Sequence, residues 1–233
     1  MKPMVKIMNK NLIFLLLISL SAFPLTATAD WFLSEETKAL IVKAEAGDAE
    51  AQIQVALAYD TGKGAPQDRS NAMKWYRVAA EGGNVEAQNS LGSMFQEGKE
   101  YRDALFWYEK AALQGHAQAT NSAAYLYDMG LGVPQDRNKG FELYSRAADL
   151  GWAEAMWNIA NMYGAGQLGT IDARMACVWI VRASRFAGPR ERRLSVHLAN
   201  ILPRLERSMT PDDLASCRDQ GNAWSPASIA KAQ

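Results

Sequence analysis

From residue 47 to about residue 187 the apolar and small positions recur with a helical period, and that pattern returns four times. Gly47, Gly83, Gly115 and Gly151 open four alignable segments, 36, 32 and 36 residues apart. Self-similarity at such a spacing is the mark of a repeat architecture. Four residues after each glycine stands Ala51, Ala87, Ala119 or Ala155, and nine after it a small residue, Ala56, Gly92, Ala124 or Ala160. Twelve after it comes an aromatic ring, Tyr59, Phe95, Tyr127 or Tyr163. Positions +4, +8 and +12 share one helix face, so each segment predicts an amphipathic first helix. Gly62, Gly98, Gly130 and Gly166 at +15 are placed to end those helices in a left-handed conformation.

A loop and a second helix complete each unit. In Gly64-Ala65-Pro66-Gln67-Asp68 and Gly132-Val133-Pro134-Gln135-Asp136, proline halts the chain and aspartate is set to cap the second helix. That helix carries Ala72 to Ala80 in unit one, matched by Ala104 to Ala112, Gly140 to Ala148 and Ala176 to Ser184. Unit two lacks four residues between Gly98 and Tyr101; restoring them brings Trp107 into line with Trp75, Leu143 and Trp179. Alanine and glycine let the paired helices approach, and the bulky rings of the second helix fill the space between neighbouring pairs. One hairpin cannot bury its own apolar face. The predicted fold class is therefore all-α: a right-handed α-solenoid of stacked helix-turn-helix repeats with a concave and a convex side.

This arrangement resembles the Sel1-like repeat family, relatives of the tetratricopeptide repeats. The resemblance rests on the leading glycine, the first-helix alanine, the aromatic at +12, the loop ending in aspartate, and the Ala-x-x-Trp-Tyr-x-x-Ala-Ala run from Ala72 to Ala80. It covers residues 47–187, divided 47–82, 83–114, 115–150 and 151–187. Unit three departs from the family pattern at Gly140 and Leu143, and unit four at Gly169-Thr170-Ile171 and Ile180, which predicts looser packing there.

The ends read differently. Lys2, Lys6 and Lys10 precede an apolar run from Leu12 to Phe23, then Pro24 and the small residues Ala27-Thr28-Ala29. This is the pattern of a secretory signal peptide over 1–29, too short to span a bilayer. A periplasmic or secreted bacterial protein is expected. Residues 30–46 predict an N-terminal capping helix with Ser34 as N-cap, and residues 188–224 predict C-terminal capping helices, the last starting at Thr210-Pro211. Pro203 should kink the helix that contains it. Residues 225–233 read as a flexible tail.

Charge and composition narrow the function. Twenty-five Lys plus Arg against 25 Asp plus Glu leave no global field for a nucleic-acid backbone. Two histidines and two cysteines offer little to a metal site, so no metal and no cofactor is expected. His116 reads as an exposed first-turn residue and His197 as a cap-surface residue, far apart in sequence and with no paired acidic motif. Ser228-Ile229-Ala230-Lys231 matches the Ser-x-x-Lys of penicillin-recognising enzymes, but that motif needs a buried helix start and this one falls in the tail. Some secreted relatives with a reputation for β-lactam binding carry a cysteine pair in every repeat, a series this chain lacks. Two readings stand for Cys177 and Cys217: a disulfide stapling the cap in an oxidising compartment, or two buried, inert thiols.

The chain is electrically polarised. Seven arginines face two glutamates between 182 and 207, while Asp30 to Lys63 holds seven acids and three lysines. Arg190, Arg192, Arg193, Arg204 and Arg207 form a basic cap patch, either a solvated surface or a dock for an acidic partner or anionic headgroups at the membrane periphery. Offsets +7 and +10 of the first helices should line the concave groove, which nominates Gln54, Ser90, Ser122, Tyr125, Asn158 and Asn161 as partner-binding residues. Such side chains can hydrogen-bond an extended peptide. The resemblance implies non-enzymatic adaptor work by a monomer that binds a protein partner: an envelope component, a sensor, or a secreted effector neutralised by an immunity protein. The rival class is an enzyme acting on cell-wall or β-lactam substrates.

Overall fold

The computed structural model describes residues 32–226; the signal peptide expected at 1–29 and the segment beyond Pro226, with its Ser-x-x-Lys match, lie outside the described residues. Helices α1 (Glu35–Glu45), α2 (Ala49–Thr61), α3 (Arg69–Glu81), α4 (Val85–Glu97), α5 (Tyr101–Leu113), α6 (Ala117–Met129), α7 (Arg137–Asp149), α8 (Ala153–Gly164), α9 (Ala173–Phe186), α10 (Arg192–Glu206) and α11 (Pro211–Ala223) follow in order, with a 3-10 turn at Pro189–Glu191. No strand occurs among the described residues. The chain forms two compact units, one up to Val78 and one from Ala79 onward.

In the first unit α1 packs on α2. Ser34 caps α1 by accepting from the Thr37 N–H at 3.1 Å, and Asp48 caps α2 by accepting from Ala51 N–H at 2.9 Å. The buried Gln52 amide donates to the Ala44 carbonyl at 3.2 Å. It adds a donor to a helix-end carbonyl that also accepts from Gly47 N–H at 3.0 Å.

The second unit stacks α4 to α9 in sequential antiparallel contact, and α9 carries both α10 and α11. The polar grammar of the first unit recurs here. Asn84 accepts from Ala87 N–H, Asp136 from Lys139 N–H and Asp172 from Met175 N–H, each at 2.8 to 2.9 Å. Gln88 donates to the Ala80 carbonyl at 3.1 Å. In the next unit Thr120 replaces that glutamine, too short to reach, and its hydroxyl turns back to the His116 carbonyl. The Ala112 carbonyl, which accepts from Gly115 N–H at 3.0 Å, takes its second donor instead from the Arg146 guanidinium, reaching from α7 at 2.6 Å. Arg146→Ala should therefore lower stability by about 1 kcal/mol, the net worth of one hydrogen bond to a carbonyl that keeps its other donor. Arg146→Lys should recover part of that loss in thermal unfolding.

Two expectations need correction. Gly98 is not left-handed (φ −72°); with four residues missing from the loop, the left-handed step moves to Lys99 (φ 61°), while Gly62, Gly130 and Gly166 keep it. Nor does Gly140 loosen unit three. A Cβ there would lie 3.2 Å from the Ala124 carbonyl oxygen, so the missing side chain lets α7 close on α6, and Leu143 and Tyr144 are buried. Gly92 does the same between α4 and α5: its absent Cβ leaves room for the Tyr108 ring, which would otherwise stand 2.7 Å away. Gly92→Ala should cost about 1–3 kcal/mol through overpacking, against a gain of about 1 kcal/mol in helix propensity; the melting temperature should fall.

The C-terminal cap is held covalently and by aromatic packing. Cys177 and Cys217 are joined by a disulfide, Cα–Cα 5.9 Å, in a cluster with Val178 and Val181 against which Leu202, Leu205 and Met209 pack. Thr210 caps α11 by accepting from Asp213 N–H at 3.2 Å. Pro203 sits within the last turn of α10, which runs on to Glu206.

Candidate functional site

In the second unit the first helices α4, α6 and α8 lie side by side, and the strip between them is a groove of about 530 Å³. Its walls come from two sets of offsets. Ser93, Gln96 and Glu97 lie late on α4; Gln118, Asn121, Ser122 and Tyr125 run along α6; Glu154 and Asn158 open α8. Tyr108 of α5 forms part of the floor, its hydroxyl donating to Ser93 Oγ at 3.2 Å. Asn158 Nδ2 donates to Asn121 Oδ1 at 3.0 Å across the α6–α8 seam. Each amide retains further donor and acceptor capacity beyond that one bond.

Three of the residues nominated from sequence, Ser122, Tyr125 and Asn158, line this groove together. Gln54 lines a separate hollow of about 430 Å³ in the first unit, between α1 and α2, with Thr37, Leu40 and Leu57. Ser90 is half-buried and Asn161 exposed, and neither lines the groove. The residues missed include Asn121, Gln118 and Glu154, at offsets +6 and +3, and Gln96, Glu97 and Tyr108 of α4 and α5. A groove made by two adjacent helices draws its walls from both flanks, whereas offsets +7 and +10 follow one flank alone.

The groove continues past Gln118 and Glu154 into a cleft of about 810 Å³ lined by Glu86, His116, Trp152, Trp157, Glu191, Arg193, Leu194 and His197. The cleft brings together two histidines that looked unrelated in sequence and sets three carboxylates beside them. His116 is not the exposed first-turn residue expected but the half-buried N-cap of α6: its Nδ1 accepts from Ala119 N–H at 3.1 Å. Its Nε2 therefore carries the proton in the neutral ring, 3.4 Å from Glu86 Oε2. His197 meets the Trp157 ring edge to face, centroids 4.8 Å apart. Trp152 occupies the N-cap of α8 and makes no side-chain cap. Glu191 supplies the acceptor from the cap instead, taking Glu154 N–H at 3.2 Å. Partial burial first, and the Glu191 carboxylate second, hold the Glu154 carboxyl above its ordinary pKa.

The arginines divide by role. Arg182 lies over the rings of Trp179 and Trp224, 4.4 and 5.0 Å from their centroids. Arg185 donates to the carbonyls of Gly221, Asn222 and Trp224 at 2.7 to 3.0 Å, closing the C-terminus of α11 where a cation is favoured. Arg190 lies in the 3-10 turn. Arg192, Arg204 and Arg207 are exposed on and just beyond α10, and Arg193 joins the cleft wall. Among the described residues no group of three or more His, Cys, Asp or Glu side chains is placed to hold a metal ion, and no helix is long and apolar enough to cross a membrane.

Comparison with known proteins bears on this geometry. The Sel1 repeat pattern matches residues 49–84, 85–116, 117–152 and 153–185. A solved protective antigen of uropathogenic Escherichia coli strains, which displays an SLR fold, is similar with a TM-score of 0.72 at 25% identity, over 84% of this chain and 42% of that one. This chain thus spans less than half the length of that antigen. A Sel1 repeat protein from Oxalobacter formigenes is similar with a TM-score of 0.63 at 26% identity, over 81% of this chain and 78% of that one. An immunity protein from Pseudomonas aeruginosa aligns at 18% identity and a TM-score of 0.44, over 72% of this chain and 73% of that one. No curated protein matches the chain. Helix pairs led by glycine and stacked through buried Trp and Tyr are thus matched by the repeat pattern over more than half of the sequence, and this α-solenoid chain belongs to the Sel1 repeat family.

Proposed function

We propose that this chain is a non-enzymatic scaffold or adaptor that binds a partner protein, and that the groove across α4, α6 and α8 is the binding surface. The observation that carries the reading is the groove's lining: serine, asparagine, glutamine and tyrosine side chains on three parallel helices, with Glu97 and Glu154 among them and Asn121 and Asn158 joined across the seam. Side-chain amides and hydroxyls of this kind match the N–H and C=O groups of an extended peptide, which must find partners when they leave water.

The place of action we propose is the periplasm or the exterior. The basic and then apolar pattern of 1–29 supports it, as does the Cys177–Cys217 disulfide, a bond that persists in oxidising compartments. The partner is then an envelope component, a sensor or a secreted effector.

The test uses residues 30–233 as bait for crosslinked capture from an envelope fraction, in three forms: unaltered, Asn121→Ala with Asn158→Ala, and Arg192→Glu with Arg204→Glu. The groove variant should lose a captured polypeptide that the arginine variant keeps. Capture unchanged by the groove variant, salt-sensitive pelleting with membranes lost only in the arginine variant, or turnover of a cell-wall fragment by the pure protein would each overturn the reading.

A further inference from the structure

The cleft at the end of the groove has a chemistry of its own, distinct from the neutral amides beside it. Its walls carry the indoles of Trp152 and Trp157, the imidazole of His197 and the side chain of Leu194, and its charged groups are Glu86, Glu154 and Glu191 against Arg193 alone. Aromatic faces present negative charge, so a ring beside a carboxylate favours a cation twice over, once through the quadrupole and once through the full charge.

The three helix N-termini that meet here could in principle draw an anion instead. One first-turn N–H of each already has a side-chain acceptor: Ala119 of α6 gives to His116 Nδ1, Ala87 of α4 to Asn84 Oδ1, and Glu154 of α8 to Glu191 Oε1. Three full negative charges against the one of Arg193 outweigh the partial charges of those helix ends and decide the sign of the cleft. Glu154 stands where groove and cleft join, lining both. Burial first, and the Glu191 carboxylate second, hold its carboxyl above the ordinary pKa.

We infer that this cleft is the specificity pocket of the groove, and that it takes one lysine or arginine side chain of a polypeptide lying along α4, α6 and α8. The cationic head sits between Glu154 and the ring of Trp157, and the aliphatic stem lies against Leu194 and His197, as long basic side chains cover apolar surface while keeping the charge paired. The peptide main chain occupies the Asn121–Asn158 strip. This inference rests on the groove being the binding surface.

The experiment uses residues 30–233 and an array of twelve-residue peptides of Gly, Ser, Ala and Asn, each bearing a single Lys, Arg, Glu or norleucine at a varied position. Binding is read by fluorescence anisotropy at two salt concentrations. The expected result is a preference of at least about tenfold for Lys or Arg over norleucine, weakened by salt. Glu154→Gln and Trp157→Phe should each lower the ratio of Lys or Arg binding to norleucine binding severalfold. Asn121→Ala should weaken all peptides alike. Binding without a basic preference, or a preference untouched by both cleft variants, overturns the pocket while leaving the groove standing. No binding of any peptide by the unaltered protein overturns the groove reading and the pocket with it. Circular dichroism of Glu154→Gln, a change confined to one carboxyl oxygen, separates loss of binding from loss of fold.

Discussion

Reducing the Cys177–Cys217 disulfide lowers the melting temperature of the chain by on the order of 10 °C, and the loss begins in α9, α10 and α11. The bond closes a span of 40 residues, and a loop of that length is worth about 4 kcal/mol in the chain-entropy account of crosslinks. For a chain of this size, each kcal/mol moves the midpoint by about 2–4 °C. The location matters as much as the amount. Both cysteines are fully buried, and the partly buried Leu202, Leu205 and Met209 gather around them, so opening the bond releases the cap from α9 as one piece. Repeat proteins lose stability interface by interface, and the cap is an end. Calorimetry with and without reductant measures the shift, and amide exchange locates it. The Cys177→Ala, Cys217→Ala double variant should behave like the reduced protein. A melting temperature unmoved by reduction would mean that the cap is held by its apolar contacts alone.

The second large effect is expected at Tyr108. The residue is 2% exposed and its ring lies where a side chain on Gly92 would be, while its hydroxyl reaches Ser93 at the groove floor. Burial holds that phenol above its ordinary pKa. Tyr108→Ala should cost about 3–5 kcal/mol, the usual range for deleting a buried ring, and should drop the groove floor as well. A double-mutant cycle makes the packing claim specific. Gly92→Ala is costly beside the ring but should be nearly neutral beside Tyr108→Leu, where its Cβ meets a smaller neighbour, giving a coupling of about 1–2 kcal/mol. Additive losses would show that the ring and the missing side chain do not face each other.

The features legible in sequence are those that near neighbours in the chain decide. Asp48, Asn84, Asp136 and Asp172 cap helices that begin one residue later, so their chemistry is local. Thr210 and Pro211 start α11 for the same reason. The loop at Gly98 departs from the repeat pattern because four residues are missing there, and the turn resolves itself at Lys99. The hydrogen bonds that bridge units were not legible at all. Arg146 serves Ala112 because Thr120 is too short, and Glu191 caps α8 because Trp152 cannot; each substitution is answered from an element distant in the chain. The groove falls between these cases. Ser122, Tyr125 and Asn158 followed from helical offsets, whereas Asn121 and Glu154 face the groove only because α6 and α8 lie next to each other. The cleft needed α10 to fold back, which brought Glu191, Arg193 and His197 to Trp157, and no periodicity announces that.

Partner recognition through the second unit's groove is tested most directly by site-specific photocrosslinking in the compartment where the chain resides. A photoreactive residue is placed in turn at Ser122 in the groove, at Phe106 on the exposed side of α5, and at Arg204 on the outer face of α10. Adducts with a polypeptide that form from Ser122, are absent from Phe106 and Arg204, and disappear on adding Asn121→Ala and Asn158→Ala are the predicted result. Adducts that form from Phe106 or Arg204 while Ser122 stays silent would contradict it.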